Sequence, residues 1–297
     1  MAIAVDPQSP FSPSGNLPRR KRVDLAMRML ATGAALLAVA ILVIVIFDVA
    51  DKGASAITLD FFTKAPPIDG PGGGILPEIV GTLIIVGLAT AFALPIGVLI
   101  AIFLTEFSTP LTAYPIRLAL DLLNGLPSIV IAVFVYGLLV LGHGQTGISA
   151  SIALAIIMVP LIARAAQEVL RLVPQSQRDA SHALGISRWR TTVGVVLPAC
   201  VSGIVTGAVL AVARAAGETA PVLLLSSFYN PNQGVTASVF GQALPNIPYE
   251  IFNQSEQANP ADHVRAWGAA LVLVAMILIV SLTARTLLAR SRRKMYR

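Results

Sequence analysis

The chain has 297 residues, 56% of them hydrophobic and only 12% charged, with a mean hydropathy of +0.79. A soluble domain would carry roughly 25% charged residues, so the composition excludes a soluble protein and predicts an integral membrane protein. The net charge of +6 does not indicate a nucleic-acid partner, because most basic residues lie beside apolar segments, where they set orientation. Cys200 is the only cysteine, which excludes an intrachain disulfide and argues against a cysteine metal site.

The N-terminal region is predicted to be a tail followed by one membrane helix. Residues 1–24 are predicted to form a disordered, basic cytoplasmic tail, because they are rich in Pro and Ser and end in a basic cluster at 19–22. The apolar run at 25–47 is long enough to cross ~30 Å of hydrocarbon and too long for the core of a cleaved signal peptide. We expect it to be the first transmembrane helix, leading into an external loop at 48–77.

Residues 78–289 are predicted to form a transmembrane domain of five further helices, with a cytoplasmic loop at 174–200. The predicted spans are 79–104, 118–141, 148–169, 202–225 and 267–288, and residues 290–297 form a basic cytoplasmic tail. Arg and Lys gather on the side that holds both termini and are sparse in the loops assigned to the outside. The predicted fold class is an all-α integral membrane protein with six transmembrane helices and both termini in the cytoplasm.

Two of these spans are expected to be broken. Pro95 and Gly97 interrupt the second span, and Gly125, Pro127 and Ser128 interrupt the third. Non-helical backbone at membrane depth is tolerated only where it is buried in protein or lines a cavity. The breaks are therefore interpreted as pore or subunit-interface features; the alternative is a proline kink that only shapes packing.

Four charged residues lie within or at the ends of predicted spans. Arg164 precedes Glu168 by four residues, and Arg214 precedes Glu218 by the same spacing, which places each pair on one helix face. Each charge at the middle of a bilayer costs about 2.5–3.5 kcal/mol, so such residues persist when they pair, face a polar cavity or act in function. One hypothesis is an anion path; the other is structural ion pairing between helices.

The loop at 174–200 is predicted to contain two helical pieces. Ser176 and Asp179 have the spacing of a capping box that opens a helix over about 177–184, and Gly185 ends it. A second amphipathic piece follows Ser187 and ends before Pro198. The pair could pack on lipid headgroups or dock into a partner, and physical reasoning alone leaves both open.

The segment Asp179-Ala180-Ser181-x-x-x-Gly185 resembles the EAA loop of ABC-importer permeases, with Asp for Glu and Ser for the second Ala. In that family this loop forms the coupling helix, which sits in a groove of the ATP-binding subunit. The resemblance implies the type I ABC importer permease fold, also called MetI-like. It also assigns coupling to the ATPase to five residues: Arg178, Asp179, Ala180, Ser181 and Gly185.

Further motifs resemble the PstA-type permeases of phosphate importers, from about Gly72 to the last span. They are Gly81-Thr82, Gly125-x-Pro127-Ser128-Ile129, Leu170-Arg171-x-Val173-Pro174 and Ala213-Arg214-Ala215-x-Gly217-Glu218-Thr219-Ala220-Pro221. The resemblance implies transport of inorganic phosphate across the cytoplasmic membrane by alternating access. It assigns the charges of phosphate passage to Arg164, Arg214 and Glu218, and the i,i+4 spacing alone adds Glu168.

The expected partners follow from the same resemblance. No Gly-x-x-x-x-Gly-Lys-Ser/Thr motif occurs in the chain, so it has no Walker A phosphate loop. We expect no cofactor on this chain, with ATP and Mg²⁺ on a PstB-like ATPase dimer. The other expected partners are a PstC-like permease subunit, a PstS-like external binding protein, inorganic phosphate and membrane lipid.

Three alternatives are kept. Another oxyanion, sulfate or molybdate, would preserve the ABC class, whereas a passive channel or proton-coupled transporter would need no docking loop. A membrane enzyme would need a cluster of His, Asp, Glu or Cys at catalytic spacing, and the sequence offers none, so the chain is predicted to be non-catalytic with no metal site.

Overall fold

A computed structural model describes residues 17–66, 72–227 and 241–295, without the side chains of residues 18 and 287–295. Throughout these ranges the regular structure is helical, and it divides into two compact units, Met1–Asp51 and Lys52–Arg297. Within the residues described, five helices are long and apolar enough to cross a membrane, or six if one bent pair counts as a single span. The predicted all-helical membrane fold is confirmed.

Helix α1, Leu17–Gly53, supplies the first unit. It begins eight residues before the expected start at 25, so residues 17–24 are helical and not part of a disordered tail. Arg28 Nη2 lies 2.7 Å from Asp24 Oδ2, an i,i+4 pair that stabilises this first section of the helix. Residues 1–16 of the predicted tail lie outside the described residues.

The second unit contains the remaining helices. They are α2 (Leu59–Thr63), α3 (Leu76–Ile102), α4 (Pro110–Gly125), α5 (Ser128–Val135), α6 (Gly147–Arg171), α7 (Gln175–Ala183), α8 (Arg188–Thr191), α9 (Leu197–Ala216), α10 (Thr219–Leu225), α11 (Ile247–Ser255) and α12 (Pro260–Met295). Single π-helical turns follow α3, α5 and α8 at Phe103–Phe107, Tyr136–Val140 and Thr192–Val196. The expected external loops contain α2 and α11, and α12 extends into the predicted C-terminal tail as far as Met295.

Helix α6 is the centre of the second unit. Of its most apolar stretch 61% is buried, against 22–28% for α3, α9 and α12, and it packs against α3, α9 and α5. Leu154 and Met158 are fully buried at its middle. The sequence reflects this position in small and apolar residues on most faces of the helix.

The expected interruption of the second span at Pro95 and Gly97 is wrong, because α3 runs through both residues without a break. Gly97 is needed for close packing: a Cβ there would lie 2.8 Å from Ile162 Cγ2 on α6. Pro95 is exposed inside the helix, and transmembrane helices tolerate proline where neighbours and local adjustments satisfy the freed backbone group.

The expected break at Gly125, Pro127 and Ser128 is confirmed. Helices α4 and α5 meet there at an angle of 101°, so they form either one broken span or a re-entrant pair. Pro127 has extended backbone and offers no N–H, while the Leu126 N–H donates to the Leu122 carbonyl 3.0 Å away. Gly125 and Pro127 are exposed at the bend, and Ser128 is half-buried.

The coupling loop, residues 174–200, differs in detail from its prediction. Its first helix covers Gln175–Ala183, and the capping box is wrong: Pro174 precedes the helix, and the Asp179 carboxylate accepts from Gln175 Nε2 at 3.1 Å. The second piece does not end before Pro198, because α8 continues through a π turn into α9 as one apolar segment, Arg188–Ala216. Pro198 lies where the π turn passes into α9, and it contributes no N–H to that continuous segment.

The fifth span also ends earlier than expected. Instead of continuing to residue 225, α9 ends at Ala216, and Gly217 and Glu218 separate it from α10. Helix α10 packs against α5, the helix that follows the 101° bend. The break between α4 and α5 and the break between α9 and α10 are therefore linked by the packing of α5 against α10.

Candidate anion path and coupling loop

The depth of each charged residue in the bundle follows from how α6 and α9 pack. A Cβ at Gly203 would lie 2.5 Å from Val169 Cγ1, and a Cβ at Gly207 would contact the Cβ of Ala165, so the two helices are antiparallel. Small residues of this kind let membrane helices approach closely. In that register Arg214 lies level with Met158, at the middle of α6. Arg164 lies six residues nearer the coupling loop, about 9 Å along the axis.

Arg214 and Glu218 meet at the break between α9 and α10, as their spacing predicts. Arg214 Nε lies 3.4 Å from Glu218 Oε1, and the arginine side chain is 55% exposed while the glutamate is 17% exposed. Glu218 also lines a crevice of about 10 Å³, roughly the space of one water molecule, beside Thr82 and Asn246. The Arg214 guanidinium, held only by a long contact to Glu218, therefore lies at the middle of the bundle. It is next to non-helical backbone, which in transporters lines cavities.

Arg164 does not pair with Glu168 as the spacing suggested. Its guanidinium contacts the carboxylate of Asp121 on α4, the helix that leads into the 101° bend. Glu168 is exposed and forms no ion pair within the described ranges. The i,i+4 spacing places a carboxylate within reach of the arginine but does not determine which carboxylate it pairs with. Here α4 supplies a better-placed carboxylate, that of Asp121.

Arg164, Asp121 and Glu168 line one cavity of about 280 Å³. Arg117 and Arg171 complete its charged lining, so three cations face two carboxylates. The excess of positive charge makes this cavity favourable for an anion.

The coupling loop presents part of the EAA-like motif outward. Asp179 and Ala180 are exposed on α7, whereas Ser181 is buried and its hydroxyl donates to the Gln177 carbonyl at 3.1 Å. Gly185 has φ +74°, the left-handed conformation expected of a glycine that follows a helix. The apolar side chains of Leu184 and Trp189 are 80% and 54% exposed beside them.

Arg178 faces inward. Its Nη2 lies 2.8 Å from Glu106 Oε1, and its side chain and that of Glu106 are only 13% and 7% exposed. The same guanidinium donates to the carbonyls of Val173 at 2.6 Å and Leu170 at 2.9 Å. Arg178 therefore fastens the coupling loop to the ends of α3 and α6, and it is a positioning residue more than a surface contact.

A buried polar cluster lies at the opposite end of the bundle, around α11. Glu250 accepts from Gln254 Nε2 at 2.9 Å, and burial raises the pKa of its carboxyl group, with the charge of Asp262 contributing in the same direction. The Ile247 N–H donates to Thr82 Oγ1 at 2.9 Å, and Arg265 Nη2 donates to the Gly72 carbonyl at 2.9 Å. The cluster connects α11 to α3 and to the start of α12.

Sequence reasoning missed Asp121, Glu106 and Glu250 as partners of buried or path-lining groups. Asp121 carried a usable signal, since it is a carboxylate inside the predicted third span. Glu106 and Glu250 were placed in loops, where a carboxylate is unremarkable. Among the described residues no group of three or more His, Cys, Asp or Glu could hold a metal ion.

The described part of the chain has five or six apolar helices, charged residues beside a mid-bundle helix break, and a polar loop with an exposed face. Together these features indicate a multi-pass membrane transport protein. Residues 93–296 match the family described as "Binding-protein-dependent transport system inner membrane component". The chain belongs to this family and, within it, to the PstA-type permeases. As a member it is a multi-pass protein of the cytoplasmic membrane.

Curated relatives support the narrower assignment. The phosphate transport system permease protein PstA 1 of Mycobacterium tuberculosis H37Rv is 37% identical over 71% of this chain and 68% of its own length. PstA of Xylella fastidiosa 9a5c is 37% identical over 81% of this chain and 84% of its own. PstA of Yersinia pestis is 33% identical over 84% of this chain and 85% of its own length.

Solved structures support the fold. A bacterial alginate ABC transporter has a chain that aligns with a TM-score of 0.64 at 15% identity, over 91% of this chain and 96% of its own. An inward-facing MetNI methionine ABC transporter has a chain that aligns with a TM-score of 0.56 at 16% identity, over 73% of this chain and 94% of its own. The MetI-like permease fold expected from the sequence is confirmed.

Proposed function

We propose that this chain is the permease subunit of an ATP-driven importer that moves inorganic phosphate across the cytoplasmic membrane by alternating access. The observation that carries the proposal is 33–37% identity to phosphate transport permeases over 71–84% of the chain. The excess of arginine over carboxylate in the 280 Å³ cavity supports an anionic cargo.

Arg214 and Arg164 act at two depths of the phosphate path. Each guanidinium offsets part of the desolvation cost of an oxyanion, and their forked N–H groups match its oxygens. Glu218 and Asp121 keep the arginines from holding the anion too tightly, because a transported ion must bind weakly enough to leave. Glu168 lines the same cavity as Arg164 and lowers its positive potential.

The coupling loop docks into the ATPase. Asp179 and Ala180, with the exposed apolar side chains of Leu184 and Trp189, form the outward surface that a groove on a partner can cover. This requires the loop, and with it both termini, to lie in the cytoplasm. Labelling Ala180→Cys in a Cys200→Ala background, in membranes from which the ATPase has been removed, tests the orientation: an impermeant thiol reagent must reach it only from the cytoplasmic side.

The transporter needs further chains. A PstB-like ATPase dimer binds ATP and Mg²⁺, a PstS-like protein delivers phosphate outside, and a PstC-like subunit forms the other half of the permease. The exposed apolar side chains of Leu122 on α4 and Val133 and Phe134 on α5 supply a surface for that second permease or for lipid.

The test is uptake of labelled phosphate by cells whose only phosphate permease is this chain with its partner subunits. We expect uptake that stops when ATP is depleted and that excess unlabelled sulfate or molybdate does not reduce. Uptake of sulfate or molybdate in place of phosphate would assign another oxyanion. Phosphate flux that survives ATP depletion would indicate a channel.

A further inference from the structure

A larger cavity, of about 510 Å³, lies between the coupling loop, the adjoining ends of α3 and α6, and the middle of α4. Its volume is in the range typical of small-molecule sites. The ionisable side chains in its lining belong to Glu106, Arg117, Arg171, Arg178, His182 and Arg188. Neither Asp179 nor Ala180, two residues of the coupling surface, lines this cavity.

The charges in the cavity do not balance. Arg178 is neutralised by Glu106, but in the part of the chain that the structure describes no carboxylate pairs with Arg117, Arg171 or Arg188. Arg188 instead lies over the Phe107 ring, 5.6 Å from its centroid. Three guanidinium groups that face one cavity repel one another, and an oxyanion removes the repulsion while accepting their N–H groups in pairs.

The cavity continues the cationic lining described above. Arg117 and Arg171 line both this cavity and the one that contains Arg164. The two spaces therefore adjoin, and cationic groups follow one another from Arg164 to the coupling loop. An anion that leaves the region of Arg164 meets this cavity next.

We propose that the 510 Å³ cavity is a second oxyanion site, which binds a phosphate group between Arg117 and Arg171 of the bundle and Arg188 of the coupling loop. A bound anion bridges the moving loop and the bundle, so occupancy resists separation of the two. The phosphate group comes either from free inorganic phosphate or from the headgroup of an anionic lipid. Only the first source rests on the proposed transport function.

The experiment uses two single-cysteine forms of the assembled importer in nanodiscs, both in a Cys200→Ala background. Gln175→Cys lines the cavity, and Leu111→Cys, at an 88% exposed position in the first turn of α4, is a control outside both the lining and the coupling surface. The rate of modification by a negatively charged thiol reagent is measured in phosphatidylcholine, with and without inorganic phosphate. We expect phosphate to slow modification of Gln175→Cys several-fold and to leave modification of Leu111→Cys unchanged.

Removing the two bundle arginines together, Arg117→Gln with Arg171→Gln, must abolish the protection, and replacing both with Lys must preserve most of it. In phosphatidylglycerol nanodiscs, modification is also measured without added phosphate. If it is already slow there and this slowing is lost in the double Gln variant, the lipid headgroup is the source of the phosphate group. Absence of protection in both lipids, or protection that survives the double Gln replacement, overturns the proposal.

Phosphate uptake by cells that carry the same single-cysteine forms separates this proposal from the transport function. Uptake without protection overturns the second site and leaves the importer intact. Protection without uptake supports the site and overturns the proposed transport.

Discussion

Arg178→Gln tests whether a buried ion pair holds the coupling loop against the bundle. The substitution leaves the Glu106 carboxylate buried without its partner and removes the donors to the Val173 and Leu170 carbonyls. Breaking such a pair costs about 3–5 kcal/mol. We expect about 3 kcal/mol, because Arg117 and Arg171 line the same cavity and partly offset the loss.

Hydrogen exchange read by mass spectrometry measures this cost locally. The N–H groups of Leu184, Gly185 and Ile186 donate to carbonyls of α7 and exchange only when the loop opens. A loss of about 3 kcal/mol corresponds to exchange roughly 100-fold faster in Arg178→Gln. Adding Glu106→Gln to that variant should restore part of the protection, since no buried charge is left unpaired.

Gln175→Ala is the matched control, because it removes only the exposed hydrogen bond to Asp179 on the same helix. Its exchange should stay within about fivefold of wild type, as expected for an exposed contact worth less than about 1 kcal/mol. Unchanged exchange in Arg178→Gln, or a double variant whose loss of protection equals the sum of the two single losses, would show that the Arg178–Glu106 pair does not hold the loop against the bundle.

Three further predictions follow from the packing and the charges. The pKa of Glu250 is raised in the folded protein, so its contribution to stability is complete below the ordinary pKa of 4.5 and is lost as the pH rises through the higher folded value. Glu250→Gln should therefore flatten the fall of the apparent melting temperature with pH. An unchanged slope would contradict this. Gly203→Ala should lower the melting temperature, at a cost of about 1–3 kcal/mol, because its Cβ would contact Val169, whereas Gly87→Ala meets nothing and should not; equal effects would refute the packing. Asp121→Asn should slow phosphate uptake several-fold by leaving Arg164 unpaired, and Glu168→Gln should have the smaller effect; the reverse order would restore the pairing inferred from spacing.

The fold could be predicted because hydrophobic length is a strong signal in membranes. A run such as 148–169 differs from the observed α6 by one residue at its start and two at its end. The break at Pro127 was equally predictable, since proline restricts the residue before it and removes a donor. Pro95 shows the limit of that rule: it lies within a continuous helix.

The ion pairs could be predicted only in part. Arg214 and Glu218 are close in sequence, and local geometry was sufficient to bring them together. Arg164 had two carboxylates within reach, and only the packing of α4 against α6 decides for Asp121. Arg178 was assigned to the docking surface from its motif, but a motif does not specify which way a side chain points.

The proposed function depends on phosphate passing Arg214 at the mid-bundle helix break. Its most direct test is labelled phosphate uptake by cells that depend on this permease, comparing wild type with Arg214→Gln at equal amounts in the membrane. Arg28→Gln, an equal loss of charge at an exposed i,i+4 pair, is the control. We predict that uptake collapses in Arg214→Gln while ATPase coupling persists and Arg28→Gln retains normal uptake; uptake that persists in Arg214→Gln would show that the Arg214–Glu218 pair is structural.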